Sequence, residues 1–341
     1  MRENILADSR QQALYTWVGE QLSQNYLSWE PLSGDAGARR YFRVQQAEQS
    51  YLAVDSPPTK VDNPRFIAIA QGLQKAGLHA PTLFAAELEH GFLLINELSQ
   101  LMYTDVLTED NAGTLYTDAL QALLRIQASR EYYSVPIKPW VEQEYYQEMT
   151  DMNLWLLERH LDLSLSSVQQ KSLERLYKTL IENMQMQPQV CVHRDYHARN
   201  LLYCADHNPG IIDFQDMFIG PITYDFVSLV RDAYVTWSWD RVQQWSAQFH
   251  QLLAEQPNTS NIEQEQFNLW FHGMSLQRGL KILGRFPRLC YRDNKPRYLV
   301  DLPQVAQNTL ASCPYFAGAA VLDDLLQEQI IPRIERELCA P

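Results

Sequence analysis

Residues 190–213, VCVHRDYHARNLLYCADHNPGIID, constrain this chain more tightly than any other stretch. They open on an apolar, β-branched run at Val190 to His193 and close on another at Gly210 to Asp213. Such short runs bounded by polar, Gly- and Pro-containing sequence predict two strands. Between and beside them stand His193, Arg194 and Asp195, then Asn200, then Asp213-Phe214 after Ile211-Ile212. The two strands are expected to pair as a hairpin that brings Asp195, Asn200 and Asp213 to one edge.

Those residue types at that spacing suit phosphoryl transfer, which needs a base near an acceptor hydroxyl and Mg²⁺ bridging the phosphates of ATP. Asp195, at the end of a strand, can take the acceptor's proton. Asn200 offers a neutral oxygen and Asp213 an ionised one, and hard oxygen donors that leave room for water and phosphate suit Mg²⁺. Asp216 is a weaker metal-ligand candidate, since a solvated carboxylate after a turn is common. His193 is expected to pack the loop rather than to react.

The rest of the chain changes texture once. Asp8 to Tyr26 reads as an amphipathic helix with Leu14, Trp17, Val18 and Leu22 on one face. Strand signals follow at Leu32, YFRV, YLAVD, Leu83 to Glu87 and Phe92 to Ile95, with a helix from about Pro64 that stops at Gly77. Helical patterns then dominate, at about 110–129, 139–160, 166–185, 221–235, 239–256, 261–284 and 318–338. A β-rich first part followed by a helical second part predicts an α+β chain with two lobes, an N-lobe over 1–98 and a C-lobe over 99–341.

Charge narrows the partners. With 28 Lys and Arg against 41 Asp and Glu, the net charge is −13, which disfavours a nucleic-acid binder, since phosphate backbones need a positive surface. No apolar run is long enough for a spanning helix, so no membrane role is expected. The cysteines, Cys191, Cys204, Cys290, Cys313 and Cys339, form no C-x-x-C pair, so neither zinc nor a redox pair is indicated. The start, MRENILADSRQQALY, has no basic stretch leading into an apolar one, and a cytoplasmic location is expected.

H-R-D-x-x-x-x-N followed by Asp-Phe resembles the protein-kinase-like superfamily, in particular its aminoglycoside phosphotransferase branch of small-molecule kinases. HRDYHARNLL, GIIDFQDMFIGPITYDFVSLVRDAY, LQRGLKILGRFPRLCYRDNKPRYLVDLPQV, ARRYFRV and AVDSPP are similar to the anomeric sugar kinases of cell-wall recycling. Those enzymes use ATP to phosphorylate N-acetylmuramic acid and N-acetylglucosamine at the 1-hydroxyl. The resemblance runs from about residue 30 to residue 310. It implies a bilobal protein-kinase-like fold, Mg²⁺-ATP as cofactor and a small sugar as acceptor. Asp195 is then the general base, and Asn200 and Asp213 are the metal ligands. No A-P-E follows Asp213, and Gln215 replaces the protein-kinase Gly, so the protein-kinase branch itself is not matched.

For the nucleotide, Ser33, Gly34, Asp35 and Ala36, with Gly37 and Ala38, lie between strands, where backbone N–H groups can cover phosphates. Arg39 and Arg40 follow and add positive charge. Asn96, Glu97 and Leu98 fall where the lobes join; in the family, main-chain groups of this linker hold the adenine. The third strand, Tyr51 to Asp55, lacks the Lys that kinases of this fold carry there, and the helix after it lacks the partner Glu. Arg39, Arg40, Arg43 and Lys60 are the candidate replacements. For the acceptor, Arg194, His197, Arg199, Arg231 and Asp232 are candidates. Arg194 is open to two readings, pairing with a carboxylate or facing substrate. Either Arg194 or Arg199 can meet the lactyl carboxylate of N-acetylmuramic acid through bidentate hydrogen bonds. Asp225 is expected to support the catalytic loop. Trp237, Trp239, Trp270, His272, Gln277 and Arg278 lie on helices that house acceptor specificity in the superfamily. Two other readings remain open, a kinase for a cationic aminoglycoside and a non-catalytic nucleotide or sugar sensor. Cations around the acceptor favour the sugar; clustered Asp and Glu favour the polycation.

Overall fold

A computed structural model of the chain describes residues 9–23, 28–32 and 37–338. The chain forms two compact units. One takes the residues up to Thr108 together with Ser129–Pro136 and Asn200–Asp216; the other takes Glu109–Ala128, Ile137–Arg199 and everything from Met217 on. The first boundary between the units falls after Thr108, and two later segments, Ser129–Pro136 and Asn200–Asp216, belong to the first unit.

The first unit begins with α1 (Ser9–Gln21), followed by β1 (Ser28–Leu32), β2 (Arg40–Gln46) and β3 (Gln49–Asp55). Then come α2 (Asn63–Lys75), β4 (Leu83–Glu87) and β5 (Phe92–Asn96). The five strands form one antiparallel sheet in the order β1-β2-β3-β5-β4. Period-two burial places Phe42 and Val44 of β2 in one cluster with Ala53, Leu94 and the α1 residues Leu14 and Val18. The α2 helix starts where Asp62 accepts a hydrogen bond from Arg65 N at 2.9 Å, with Pro64 in its first turn. A short α3 (Tyr103–Val106) follows.

The second unit is mostly helical. It holds α4 (Ala112–Ala128), α5 (Glu142–Met152), which runs on as a π-helical segment over Asn153–His160, and α6 (Ser167–Gln185) leading into β6 (Gln189–Val192). After β7 (Leu201–Leu202) and β8 (Gly210–Ile211), which belong to the first unit, the chain continues through β9 (Phe218–Pro221). It ends in α7 (Tyr224–Val230), α8 (Trp239–Ala254), α9 (Gln264–Asp293), α10 (Leu302–Leu310), α11 (Ala320–Leu325) and α12 (Ile331–Leu338).

Three expectations need correction. The strands at 190–193 and 210–213 do not pair with each other. β6 pairs with β9, and β8 pairs with β7. Gly210 fits there because a side chain would meet Cys204 Sγ at 3.1 Å and Leu202 Cβ at 3.2 Å, so the short β7 claims it. The helix expected over 221–235 is only Tyr224–Val230, since its first residues are spent on β9. The helix expected to stop at 284 runs to Asp293. Gly284 marks a close crossing and not an end: a Cβ there would sit 2.6 Å from Met152 N. Among the described residues no helix is long and apolar enough to cross a membrane.

Candidate active site

Asp195 follows β6 on a loop that is tied down at both ends. The Asp225 carboxylate, in the first turn of α7, accepts hydrogen bonds from His193 N at 2.6 Å and Arg194 N at 3.0 Å. Arg194 sits at φ +87°, a left-handed conformation that costs a bulky residue about 1–3 kcal/mol. The two bonds from Asp225 hold it there. Burial pushes the Asp225 carboxyl up to about 7, against the pull of those same N–H groups and of Arg278. At the far end, Asp232 accepts from Ala198 N at 3.0 Å and Tyr234 N at 2.9 Å, and Tyr196 Oη donates to Ala119 O at 2.7 Å. Asp225 therefore supports the loop as expected, and Asp232 is buried in a second such support.

The charge around Asp195 is positive. Burial alone raises its carboxyl, but Lys281, His197, Arg278 and Arg194 outweigh this and hold it below the ordinary carboxylate value. Asp195 is therefore ionised at neutral pH, as a proton acceptor must be. Arg278, named above, and Lys281 belong to one stripe of basic residues. Arg278, Lys281, Arg285, Arg288 and Arg292 lie on α9 at alternating spacings of three and four, which places them on one helix face. Arg278 Nη1 donates to Arg194 O at 3.3 Å. Lys281 Nζ donates to Tyr224 Oη at 3.0 Å and lies 3.4 Å from Glu148 Oε1, which is also 3.5 Å from Arg194 Nη2. Arg194 thus pairs with a carboxylate. The spacing of basic residues in LQRGLKILGRFPRLCYRD was the available signal for the stripe.

The other acceptor candidates are placed as follows. His197 packs edge-on against Tyr234 at 5.3 Å between ring centres, and the Arg199 guanidinium lies 3.6 Å over the same ring. Arg231 is turned elsewhere, onto Trp239 at 5.1 Å and Asn308 O, and burial pushes its pKa down to about 10. A cavity of about 810 Å³ lies against Trp239, His272 and Tyr315, but no residue of the 190–213 window lines it. Trp237 donates from Nε1 to Tyr116 Oη at 2.8 Å and is spent on packing.

Asn200 and Asp213 meet within the first unit. Ile212 N donates to Asn200 O at 3.2 Å, and Asn200 Nδ2 lies 3.4 Å from Asp213 Oδ2. Asp213 is also in a left-handed conformation, at φ +63°. Gln215, in the place of the protein-kinase Gly, donates from Nε2 to Asp213 Oδ1 at 2.6 Å. Its own carbonyl accepts from Arg65 Nε at 3.1 Å, and Phe214 stacks on Phe66 at 5.1 Å, so α2 carries this turn. Here the Asn200 amide turns its nitrogen to Asp213; an amide oxygen and a carboxylate are donor types that suit Mg²⁺, which takes few protein ligands and keeps water and phosphate oxygens. Among the described residues no group of three or more His, Cys, Asp or Glu forms a metal cage.

The nucleotide candidates sort by their partners. Ser33, Gly34, Asp35 and Ala36 lie outside the described residues. Arg40 is taken up by Asp55, which also binds Arg10. Arg43 is bound bidentately by Glu97 at 2.6–2.8 Å and reaches Glu30 at 3.0 Å. Among the described residues Arg39 meets a hydroxyl, Ser56 Oγ at 2.9 Å, and the Phe66 ring at 4.8 Å, and no carboxylate. Burial raises the Tyr41 hydroxyl, Arg39 lowers it and Asp213 raises it, so Arg39 and Asp213 both act on this one side chain. In the linker, Asn96 N and Glu97 N donate to Thr82 O and Ser50 O. Leu98 O accepts weakly from Cys204 Sγ at 3.7 Å, while Leu98 N has no hydrogen bond among the described residues.

An Asp on a loop tied down at both ends in the helical unit, and an Asn beside an Asp in the unit built on the antiparallel sheet, are the residue types that phosphoryl transfer needs. Residues 28–257 match the phosphotransferase enzyme family, and the chain belongs to that family. Its similarity extends to the N-acetylmuramate/N-acetylglucosamine kinase of Pseudomonas putida, 37% identical over 87% of this chain and 90% of that protein. The enzyme of the same name from Pseudomonas aeruginosa is 36% identical over the same shares, 87% and 90%. The one from Neisseria meningitidis is 29% identical over 94% of this chain and 96% of that protein. Among solved structures, an ADP-bound aminoglycoside phosphotransferase shares the fold at a TM-score of 0.56 and 15% identity, covering 87% of this chain and 97% of its own. Choline kinase LicA from Streptococcus pneumoniae does so at 0.56 and 12%, covering 88% and 99%. The α+β, protein-kinase-like class expected from the sequence is the class of these structures.

Proposed function

We propose that this chain is an ATP-dependent, cytoplasmic kinase that phosphorylates the anomeric 1-hydroxyl of N-acetylmuramic acid, N-acetylglucosamine or both, in peptidoglycan recycling. In support, relatives that match 87–94% of this chain are named N-acetylmuramate/N-acetylglucosamine kinase, which gives the two sugars and the reaction type. The observation that carries the acceptor class is the placement of α9 cations against the Asp195 loop, where Arg278 Nη1 reaches Arg194 O at 3.3 Å and Lys281 lies against the same Glu148 carboxylate as Arg194. A polycationic aminoglycoside would be repelled there, whereas a neutral or acidic sugar is not.

Asp195 receives the proton of the sugar hydroxyl, a more acidic group than a common alcohol because it belongs to a hemiacetal. Asn200 and Asp213 would hold Mg²⁺, which would offset charge on the transferring phosphate. Arg39 contacts the phosphates in place of the absent strand-three Lys, and Leu98 N–H meets the adenine. Asp225 and Asp232 fix the loop so that Asp195 needs no reorganisation during the reaction. ATP consumption with N-acetylmuramic acid, N-acetylglucosamine and an aminoglycoside, with NMR of each product, tests this reading. Phosphate on the 1-hydroxyl of either sugar is the expected result. Phosphate on the 6-hydroxyl, or on the antibiotic alone, overturns it.

A further inference from the structure

We propose that Arg285 binds the carboxylate of an acidic sugar acceptor and makes this chain prefer N-acetylmuramic acid over N-acetylglucosamine. The inference rests on the sugar-kinase reading and deepens it. Its starting point is the division of partners along the α9 stripe. Glu148 serves Arg194 and Lys281, Asp151 serves Arg288 at 2.5 Å, and Asp293 serves Arg292 at 2.8 Å. Arg278 is spent on the Arg194 carbonyl and on the face of Tyr224, 4.6 Å from its centre. Among the described residues Arg285 alone of the five has neither hydrogen bond nor ion pair.

Its surroundings work against a lone charge. Partial burial lowers its pKa, and Arg288, Arg292 and Arg194 lower it further, with Glu148 the opposing influence. A cation held among cations gains most from an anion that arrives with the ligand. A guanidinium is suited to a carboxylate because it offers two parallel N–H donors.

Position supplies the second argument. Lys281, whose charge acts on Asp195, lies one turn before Arg285 on the same face, about 6 Å along the axis at 1.5 Å per residue. That offset is of the order of a pyranose ring. A sugar with its 1-hydroxyl at Asp195 thus carries a substituent that extends beyond its ring to the level of Arg285. N-acetylmuramic acid differs from N-acetylglucosamine by a lactyl ether on C3, two ring atoms from the anomeric carbon, and the ether extends outward from the ring to end in a carboxylate.

The test compares both sugars on wild-type and Arg285→Gln enzyme, with the uncharged methyl ester of N-acetylmuramic acid as a second probe. Arg285 is only partly buried and keeps an exposed face, so the substitution leaves the core untouched. The expected loss in kcat/KM is on the order of tenfold to a hundredfold for N-acetylmuramic acid, the range for a hydrogen bond to a charged group. It should appear mainly in KM, with N-acetylglucosamine within twofold of wild type and Arg285→Lys restoring part of the loss. The methyl ester should show no dependence on Arg285. Equal losses for both sugars, or none for either, overturn the inference and leave the sugar-kinase reading standing. A wild-type enzyme that phosphorylates neither sugar overturns both.

Discussion

Where kinases of this fold carry a strand-three Lys, β3 ends instead on a buried Asp55, and its partners make a quantitative forecast possible. Arg10 of α1 reaches Asp55 Oδ1 with Nε at 3.0 Å and Nη2 at 2.5 Å. Arg40 of β2 reaches Oδ2 with Nε at 2.9 Å and Nη2 at 2.5 Å. The carboxylate side chain is 1% exposed, whereas the two arginines are 38% and 41% exposed. This asymmetry decides which substitution hurts more. Asp55→Asn removes the buried charge itself; the amide oxygen keeps one guanidinium and the other swings into water. The cost is then about 1.5–3 kcal/mol, that of losing hydrogen bonds to a charged group. Replacing Arg10 and Arg40 together by Met leaves a carboxylate buried without a counter-charge, which costs about 3–5 kcal/mol. Each single Arg→Met variant should cost less than the double. Urea unfolding at pH 7.5, with the slope compared among variants, reads these values. If the double Arg variant is as stable as Asp55→Asn, the carboxylate is not the buried anchor described here.

Arg39→Met should raise the KM for ATP by on the order of tenfold or more, as expected for a lost bond to a charged phosphate, and leave the KM for sugar within twofold; equal effects on both would remove Arg39 from the phosphate site. Stability should fall on mild acidification because of His272, which burial and Arg231 push down to about 4 from 6.5. Its folded value is the lower one, so its contribution is complete above about pH 6.5 and is lost as pH falls toward 4, on the order of 2 kcal/mol by pH 5. His272→Phe, which keeps the stack on Tyr315 at 4.4 Å, should flatten that part of the urea-midpoint profile, and an unchanged profile would refute the assignment.

The fold class and the central residues were legible because they depend on spacing along the chain. H-R-D-x-x-x-x-N places an acid on the turn after a strand, and the Asn200–Asp213 contact follows from a short excursion of the backbone. Strand pairing was not legible. β7 is two residues long, too short for any periodicity, yet it captures Gly210-Ile211 and leaves β6 to β9. Nor was the length of α9, because Gly284 and Pro287 read locally as helix-stopping residues while Gly284 in fact admits the backbone of Met152. Arg40 and Arg43 looked as available for phosphate as Arg39. Their partners, Asp55, Glu97 and Glu30, are brought to them by sheet register and not by sequence neighbourhood. The α9 cations were visible in the sequence, but only the folded chain shows that Arg194 and Asp195 lie against one end of their stripe.

The central claim is that Asp195 takes the proton of the acceptor hydroxyl and does not merely shape the loop. The direct measurement is sugar-dependent ADP release by Asp195→Asn enzyme at saturating Mg²⁺-ATP, alongside nucleotide affinity by calorimetry. The account predicts a fall in kcat of about 10²–10⁴, with the dissociation constant for ATP within twofold of wild type. Turnover within tenfold of wild type, or a loss of ATP binding that matches the loss of rate, would contradict it.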